Sequence, residues 1–275
     1  MTAVCLTGRA LHTGEEVAVT LTARPGPLEI VVDGARAALA DMTPECADHA
    51  SALTGVGGAP ALGTVEHLFA ALFARRVTGG LEISVERARR SPRRAELPLL
   101  DGGAAAWCDA LGELGPLAPT AGTTPWRITR ATRIAVGDSV YELTPSDDTR
   151  FEVEVDLPGA APHASWLGGL DDFRRRVAPA RTFALARDVE ALGDRGLALG
   201  AARESVVVVT DQGLLAAGRE AAEDEPARHK LLDLVGDMYA YACIFVGAVS
   251  ARRPGHAASH AVLSRARREG VLACG

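Results

Sequence analysis

The stretch GEEVAVTLTARPGPLEIVV, residues 14–32, alternates apolar and polar positions at Val17, Val19 and Leu21, breaks at a Pro-Gly-Pro turn and resumes as a short apolar run. A period of two marks half-buried antiparallel strands. The stretch GDSVYELTPSDDTRFEVEVDL, residues 137–157, repeats the pattern, read at Val140 and Leu143 and then at Phe151, Val153 and Val155. In each half a helix, a strand and a helix follow. The first half has TVEHLFAALFARR, GGLEISVE and DGGAAAWCDALGEL; the second has ARHKLLDLVGDMYAY, CIFVGAVSA and GHAASHAVLSRARRE. Between the halves, GPLAPTAGTTP (115–125) is rich in Gly, Pro and Thr and breaks regular structure. The pattern predicts an α+β fold of two pseudo-symmetric domains, 1–118 and 119–275. Each is expected to be a layered sandwich of sheet and helix, with an active site in the interdomain cleft.

Composition narrows the class. Of 275 residues, 48% are apolar and 23% charged, enough for a large buried core. A net charge of −6 argues against a general nucleic-acid binder. The five cysteines are scattered without C-x-x-C spacing, which reads as reduced thiols in a cytoplasm. The start MTAVCLTGRALHTGEE lacks a basic segment followed by an apolar one. The longest apolar stretch, MYAYACIFVGAV, is far short of the roughly 20 residues of a membrane span. A cytoplasmic monomer without a transmembrane segment is expected.

The candidate chemistry is carried by histidines and carboxylates. His67 and His229 fall at matching places in the two halves, each near the start of a helix leading into a strand. Repeated α+β layers can produce such a match by chance; the functional reading points both imidazoles at a shared cleft. His229 and Asp233 are spaced i, i+4 and share a helix face, with Asp237 one turn further on. Most such pairs are surface ion pairs. Together with His67 they make two imidazoles and one carboxylate, a set suited to a catalytic zinc ion with an open fourth position. Glu66 points about 100° away from His67 on a helix and suits a general base, or else a solvated first-turn glutamate favoured by the helix dipole. In RRPGHAASH, His256 begins the last helix, where an imidazolium can stabilise an oxyanion and protonate a leaving amine. His260 reads as a surface residue, and His49 and His163 lie in loop-like text without a role. Lys230 is the only lysine; the other 28 basic residues are arginine.

LTGRALHTGEEVAVTL, GTVEHLFAAL, LPLLDGGAAAW, RVAPARTFALARDVEALGDRGLALG, ARHKLLDLVGDM and PGHAASHAVL occur here in that order. The chain thereby resembles, over essentially its whole length, the zinc-dependent UDP-3-O-acyl-N-acetylglucosamine deacetylases of lipid A synthesis. The resemblance implies two α+β domains of matching topology, each with a small insert. It implies one Zn²⁺ per chain on His67, His229 and Asp233, with Glu66 as general base and His256 as general acid or electrostatic stabiliser. Asp237 would orient His256, Thr182 would hydrogen-bond the reacting oxygens, and Phe183 would contact the sugar. His12 would lie near the site, and Lys230 would contact the nucleotide. Residues 187–200 would shape a passage for the acyl chain. The implied partner is an acylated UDP-amino-sugar, deacetylated to acetate and a free 2-amine.

The chain also departs from the family. Arg9 and Ala10 stand within a motif that usually reads Gly-Val-Gly-Leu-His, and Gly79-Gly80 replaces a common Asp-Asn. The first strand looks trimmed, and a usual His-Pro is missing from DLPGAAPHASW. The loop 87–94 holds five arginines in eight residues, read as a solvated loop over a docking patch for anions. Two rivals share the same residues: a paralogue deacetylating another amino-sugar nucleotide, and a non-catalytic acyl-sugar binder held together by zinc. Two His and one Asp can also hold Fe²⁺.

Overall fold

A computed structural model describes residues 2–47, 49–55, 61–88, 93–119 and 124–274. The first half opens with β1 (Ala3–Arg9), β2 (Glu16–Ala23), β3 (Glu29–Val32) and β4 (Ala35–Ala38). Next come β5 (Thr43–Ala47), β6 (Ala50–Thr54), β7 (Ala61–Gly63), α1 (Glu66–Ala74), β8 (Leu81–Arg87), β9 (Ala95–Glu96) and α2 (Ala105–Glu113). The second half has β10 (Trp126–Ile128), β11 (Thr132–Val136), β12 (Ser139–Thr144), β13 (Thr149–Glu154), β14 (His163–Trp166) and α3 (Leu170–Asp172). It continues with β15 (Thr182–Leu185), α4 (Ala186–Asp194), β16 (Val206–Thr210) and β17 (Gly213–Leu215). It ends with α5 (Glu225–Tyr239), β18 (Phe245–Arg252), α6 (His256–Arg268) and β19 (Leu272–Cys274).

The repeat read from periodicity is a repeat of topology. One sheet runs β1-β2-β8-β3-β4 and the other pairs β11-β12-β18-β13-β14. In both, the third strand is parallel to the fourth and antiparallel to the second. The helix leading into that strand is α1 in one half and α5 in the other, and α2 and α6 follow it. Each half carries an insert before its first long helix. The first insert, with β9, forms a small sheet β5-β6-β7-β9; the second forms β15-β16-β17 with α4.

β2 turns Val17, Val19 and Leu21 inward as the alternation predicts. In β12 the parity differs: Tyr141 and Leu143 are buried and Val140 is only half-buried. Val140 and Leu143 are three apart and cannot share a face of a pleated strand; the aromatic ring takes the inward position. β1 spans seven residues. His163 lies at the start of β14 instead of in a loop. Residues 89–92 of the arginine-rich loop and 120–123 of the Gly-Pro-Thr stretch lie outside the described residues.

The core is continuous across both halves because α1 packs against α5. All nine residues of α1 are buried, as an almost wholly apolar helix must be. Phe73 of α1 reaches Phe151 and Trp166 of the other half at ring separations of 5.6 and 6.1 Å. Among the described residues no helix is long and apolar enough to cross a membrane.

Candidate active site

The α1–α5 crossing sets the site. A Cβ on Gly236 would stand 2.0 Å from the backbone oxygen of Glu66, so only glycine lets the helices approach this closely. Thr64, two residues before α1, is held at φ +54°, a left-handed conformation uncommon for a β-branched residue. Glu66 and His67 from α1 are thereby brought against His229, Asp233 and Asp237 from α5. His256, the first residue of α6, joins them.

His67, His229 and Asp233 are buried, and one ligand atom from each lies within 4.8 Å of the others. Asp233 Oδ1 is 3.3 Å from His229 Nε2 and 3.8 Å from His67 Nε2. His229 Nδ1–H donates to the Ala180 carbonyl at 3.0 Å, leaving a lone pair on Nε2 toward the carboxylate. Burial, with the neighbouring His229, pushes His67 down to about 3, so it is neutral at ordinary pH. Burial likewise lowers His229. Burial opposes ionisation of Asp233, but His229 and Lys230 outweigh it and hold this carboxyl below the usual range. Among the described residues Asp233 Oδ1 has no hydrogen-bond partner despite its burial. Electron-rich atoms converging with an orphaned carboxylate oxygen are costly unless a cation lies among them. The donor set fits zinc.

The acid–base candidates flank this centre. Glu66 is buried, not a solvated first-turn residue; its Oε2 accepts the Ser51 backbone N–H at 3.1 Å. Burial raises it to about 7, despite the opposing influence of His256. His256 Nε2 is 3.9 Å from Glu66 Oε1, and its Nδ1–H donates to Asp237 Oδ1 at 2.7 Å. Burial disfavours the imidazolium, but Asp237 and Asp233 outweigh it and lift His256 to about 9. Between these values a carboxylate base and an imidazolium acid coexist.

A cavity of about 790 Å³ opens from this cluster. Thr182 lines it, its backbone N–H fixed by the Gly102 carbonyl at 2.7 Å. Phe183 lines it too; the Lys230 Nζ sits 5.7 Å from its ring centre and 2.7 Å from Asp233 Oδ2. His12 is buried at its edge, its backbone N–H donating to Glu96 Oε2 at 2.9 Å. The far wall is apolar and comes from the second insert: Val189, Leu192, Leu197, Leu199, Val208 and Leu215. Val189, Leu199 and Leu215 stay 46%, 50% and 60% exposed, an apolar surface shaped for an apolar ligand. Every residue singled out as a ligand, catalyst or substrate contact lies at this cavity or, for Asp237, directly behind it.

Sequence reasoning missed Ser51, His260 and Glu96. His260 is buried, not at the surface, and its Nε2 lies 2.7 Å from Ser51 Oγ. His49 lines the cavity mouth. No motif marks Ser51 or Glu96. The i+4 spacing of His256 and His260 was the available signal for His260.

The LpxC family model, UDP-3-O-acyl N-acetylglycosamine deacetylase, matches residues 1–267. The UDP-3-O-acyl-N-acetylglucosamine deacetylase of Brucella melitensis biotype 2 is 34% identical over 266 residues, covering 92% of this chain and 89% of its own. Proteins of that name from Brucella ovis and Brucella canis match to the same extent.

Proposed function

The chain belongs to the UDP-3-O-acyl N-acetylglycosamine deacetylase family, and from that premise we propose how its residues divide the work of a lipid A biosynthetic hydrolase. The substrate is a UDP-3-O-(3-hydroxyacyl)-N-acetylglucosamine, and the products are acetate and the free 2-amine. One observation carries the assignment of residues: three buried ligand atoms converge beside a glutamate and an imidazole that stand 3.9 Å from each other.

Zinc on His67, His229 and Asp233 would supply a Lewis acid that makes water acidic and polarises the acetamide carbonyl. Glu66 takes the proton from the attacking water, a role suited to a carboxylate whose pKa burial has raised toward neutrality. His256, charged and braced by Asp237, stabilises the developing oxyanion and delivers a proton from Nε2 to the departing nitrogen. Thr182 offers a hydroxyl to the same oxygens. Phe183 and His12 border the sugar. Lys230 contacts the nucleotide as a compact charge, which an arginine fork would not reproduce. The apolar insert wall takes the acyl chain. The proposal includes one zinc ion per chain, domains dividing near 118/119, and a cytoplasmic monomer.

The test is acetate release by the zinc-loaded protein from UDP-3-O-(3-hydroxymyristoyl)-N-acetylglucosamine and from UDP-N-acetylglucosamine side by side. Rapid release from the acylated compound alone is expected. Equal release from the unacylated sugar, or none from either, overturns the substrate assignment.

A further inference from the structure

His260 and Ser51 are buried and have no role in this scheme, yet they form a hydrogen-bonded row with Asp237. We infer that Ser51 and His260 are positioning residues that lock Asp237, and through it the ring of His256, in the orientation needed to protonate the leaving nitrogen. The inference rests on the deacetylase reading for its kinetic consequence but not for its geometry.

The direction of each proton follows from what each group can donate. Asp237, 1% exposed, accepts two bonds at Oδ1, from His256 Nδ1–H at 2.7 Å and from Ser51 Oγ–H at 2.6 Å. Ser51 is wholly buried and has a single hydroxyl proton, which the carboxylate takes. Its oxygen must therefore accept from His260 Nε2, 2.7 Å away, and that fixes the His260 proton on Nε2. Tyr241 Oη stands 3.3 Å from the other ring nitrogen, Nδ1. Burial lowers the pKa of His260, so it carries one ring proton and that proton has one place to go. The backbone N–H of Ser51 meanwhile donates to Glu66 Oε2 at 3.1 Å. One residue on β6, in the first insert, thus braces the general base directly and the general acid through Asp237. A purely packing role for these residues would be served as well by apolar side chains of similar volume, because replacing both partners of a buried hydrogen bond can be nearly neutral.

Two measurements on the zinc-loaded protein test this. In [¹⁵N]histidine-labelled protein, ring N–H resonances are expected at Nδ1 of His256 and Nε2 of His260, with the latter shifted or lost in Ser51→Ala. Kinetically, Ser51→Ala and His260→Leu are expected to lower kcat by roughly ten- to a hundredfold, the scale for groups that orient site residues, with KM and zinc content unchanged. His260→Gln, whose amide can donate from the position of Nε2, is expected to keep most of the activity. A His260 proton on Nδ1, unchanged kcat in Ser51→Ala and His260→Leu, or a Gln variant as impaired as the Leu variant overturns the inference. The ring resonances need no turnover, so a wrong substrate and a wrong hydrogen-bond row give distinguishable results.

Discussion

Gly236→Ala is a change of one methyl group outside the set of reacting side chains, and the structure fixes its consequence. The new Cβ would lie 2.0, 2.7 and 2.8 Å from the backbone O, C and Cα of Glu66. None of these atoms is the end of a flexible side chain, so α1 and α5 must part. Ordinary contact begins near 3.4 Å, which makes the required shift about 1.4 Å. Metal sites tolerate about 0.2 Å in ligand distance. The shift would carry His67 and Glu66 on α1 away from His229 and Asp233 on α5, dividing the proposed ligands between two separated helices. Overpacking costs about 1–3 kcal/mol, and replacing a helical glycine by alanine returns about 1 kcal/mol. The net destabilisation of about 0–2 kcal/mol leaves a domain-sized protein folded. Zinc affinity, by contrast, should fall at least about a hundredfold, with kcat following, because the displacement exceeds the coordination tolerance several times over. Chelator competition gives the affinity, urea unfolding the stability and acetate release the rate. Wild-type zinc affinity and turnover in a folded Gly236→Ala protein would refute the claim that this crossing sets the site.

Glu66→Gln and His256→Ala are each expected to keep zinc and lose at least about a hundredfold in kcat, checked by metal analysis beside steady-state kinetics. Activity in kcat/KM should rise with pH as Glu66, held near 7 by burial, deprotonates, and fall as His256, held near 9 against burial chiefly by Asp237, loses its proton. The charge of zinc draws both limbs lower, and an alkaline limb surviving in His256→Gln would reassign it. Lys230→Arg should raise KM for the nucleotide sugar with little change in kcat; an unchanged KM removes Lys230 from substrate binding. Glu225 is wholly buried, and hydrogen bonds from Arg181 and Arg219 outweigh the cost of burial and bring it to about 2. A lowered carboxyl pKa stabilises above the unfolded value and that stability is lost as pH falls, so about 3 kcal/mol should disappear between about pH 4.5 and 2. Urea titrations of Glu225→Gln should show a flatter acid limb.

Much of this was legible in the chain. Strand alternation at Val17, Val19 and Leu21, and the repeated succession of helix, strand and helix, announced two sheets of like topology, because side-chain period depends only on local backbone geometry. The i, i+4 spacing of His229 and Asp233 placed two candidate ligands on one face for the same reason. The burial of Tyr141 in place of Val140 was not legible, since which face of a strand turns inward is decided by what packs on it. Nor was the row from His260 through Ser51 to Asp237. Those residues come from three elements, separated by 209 and 186 positions from Ser51, and no local rule connects them.

By itself, then, the sequence determined the elements, their repetition, the family motifs and the types of residue available for zinc chemistry, all of which are properties of neighbours along the chain. The tertiary structure alone decided that α1 and α5 touch at Gly236, that Asp233 Oδ1 finds no proton donor among the described residues, and that Ser51 hydrogen-bonds both Glu66 and Asp237. Those facts depend on distances between segments remote in sequence, and such distances exist only once the core has packed.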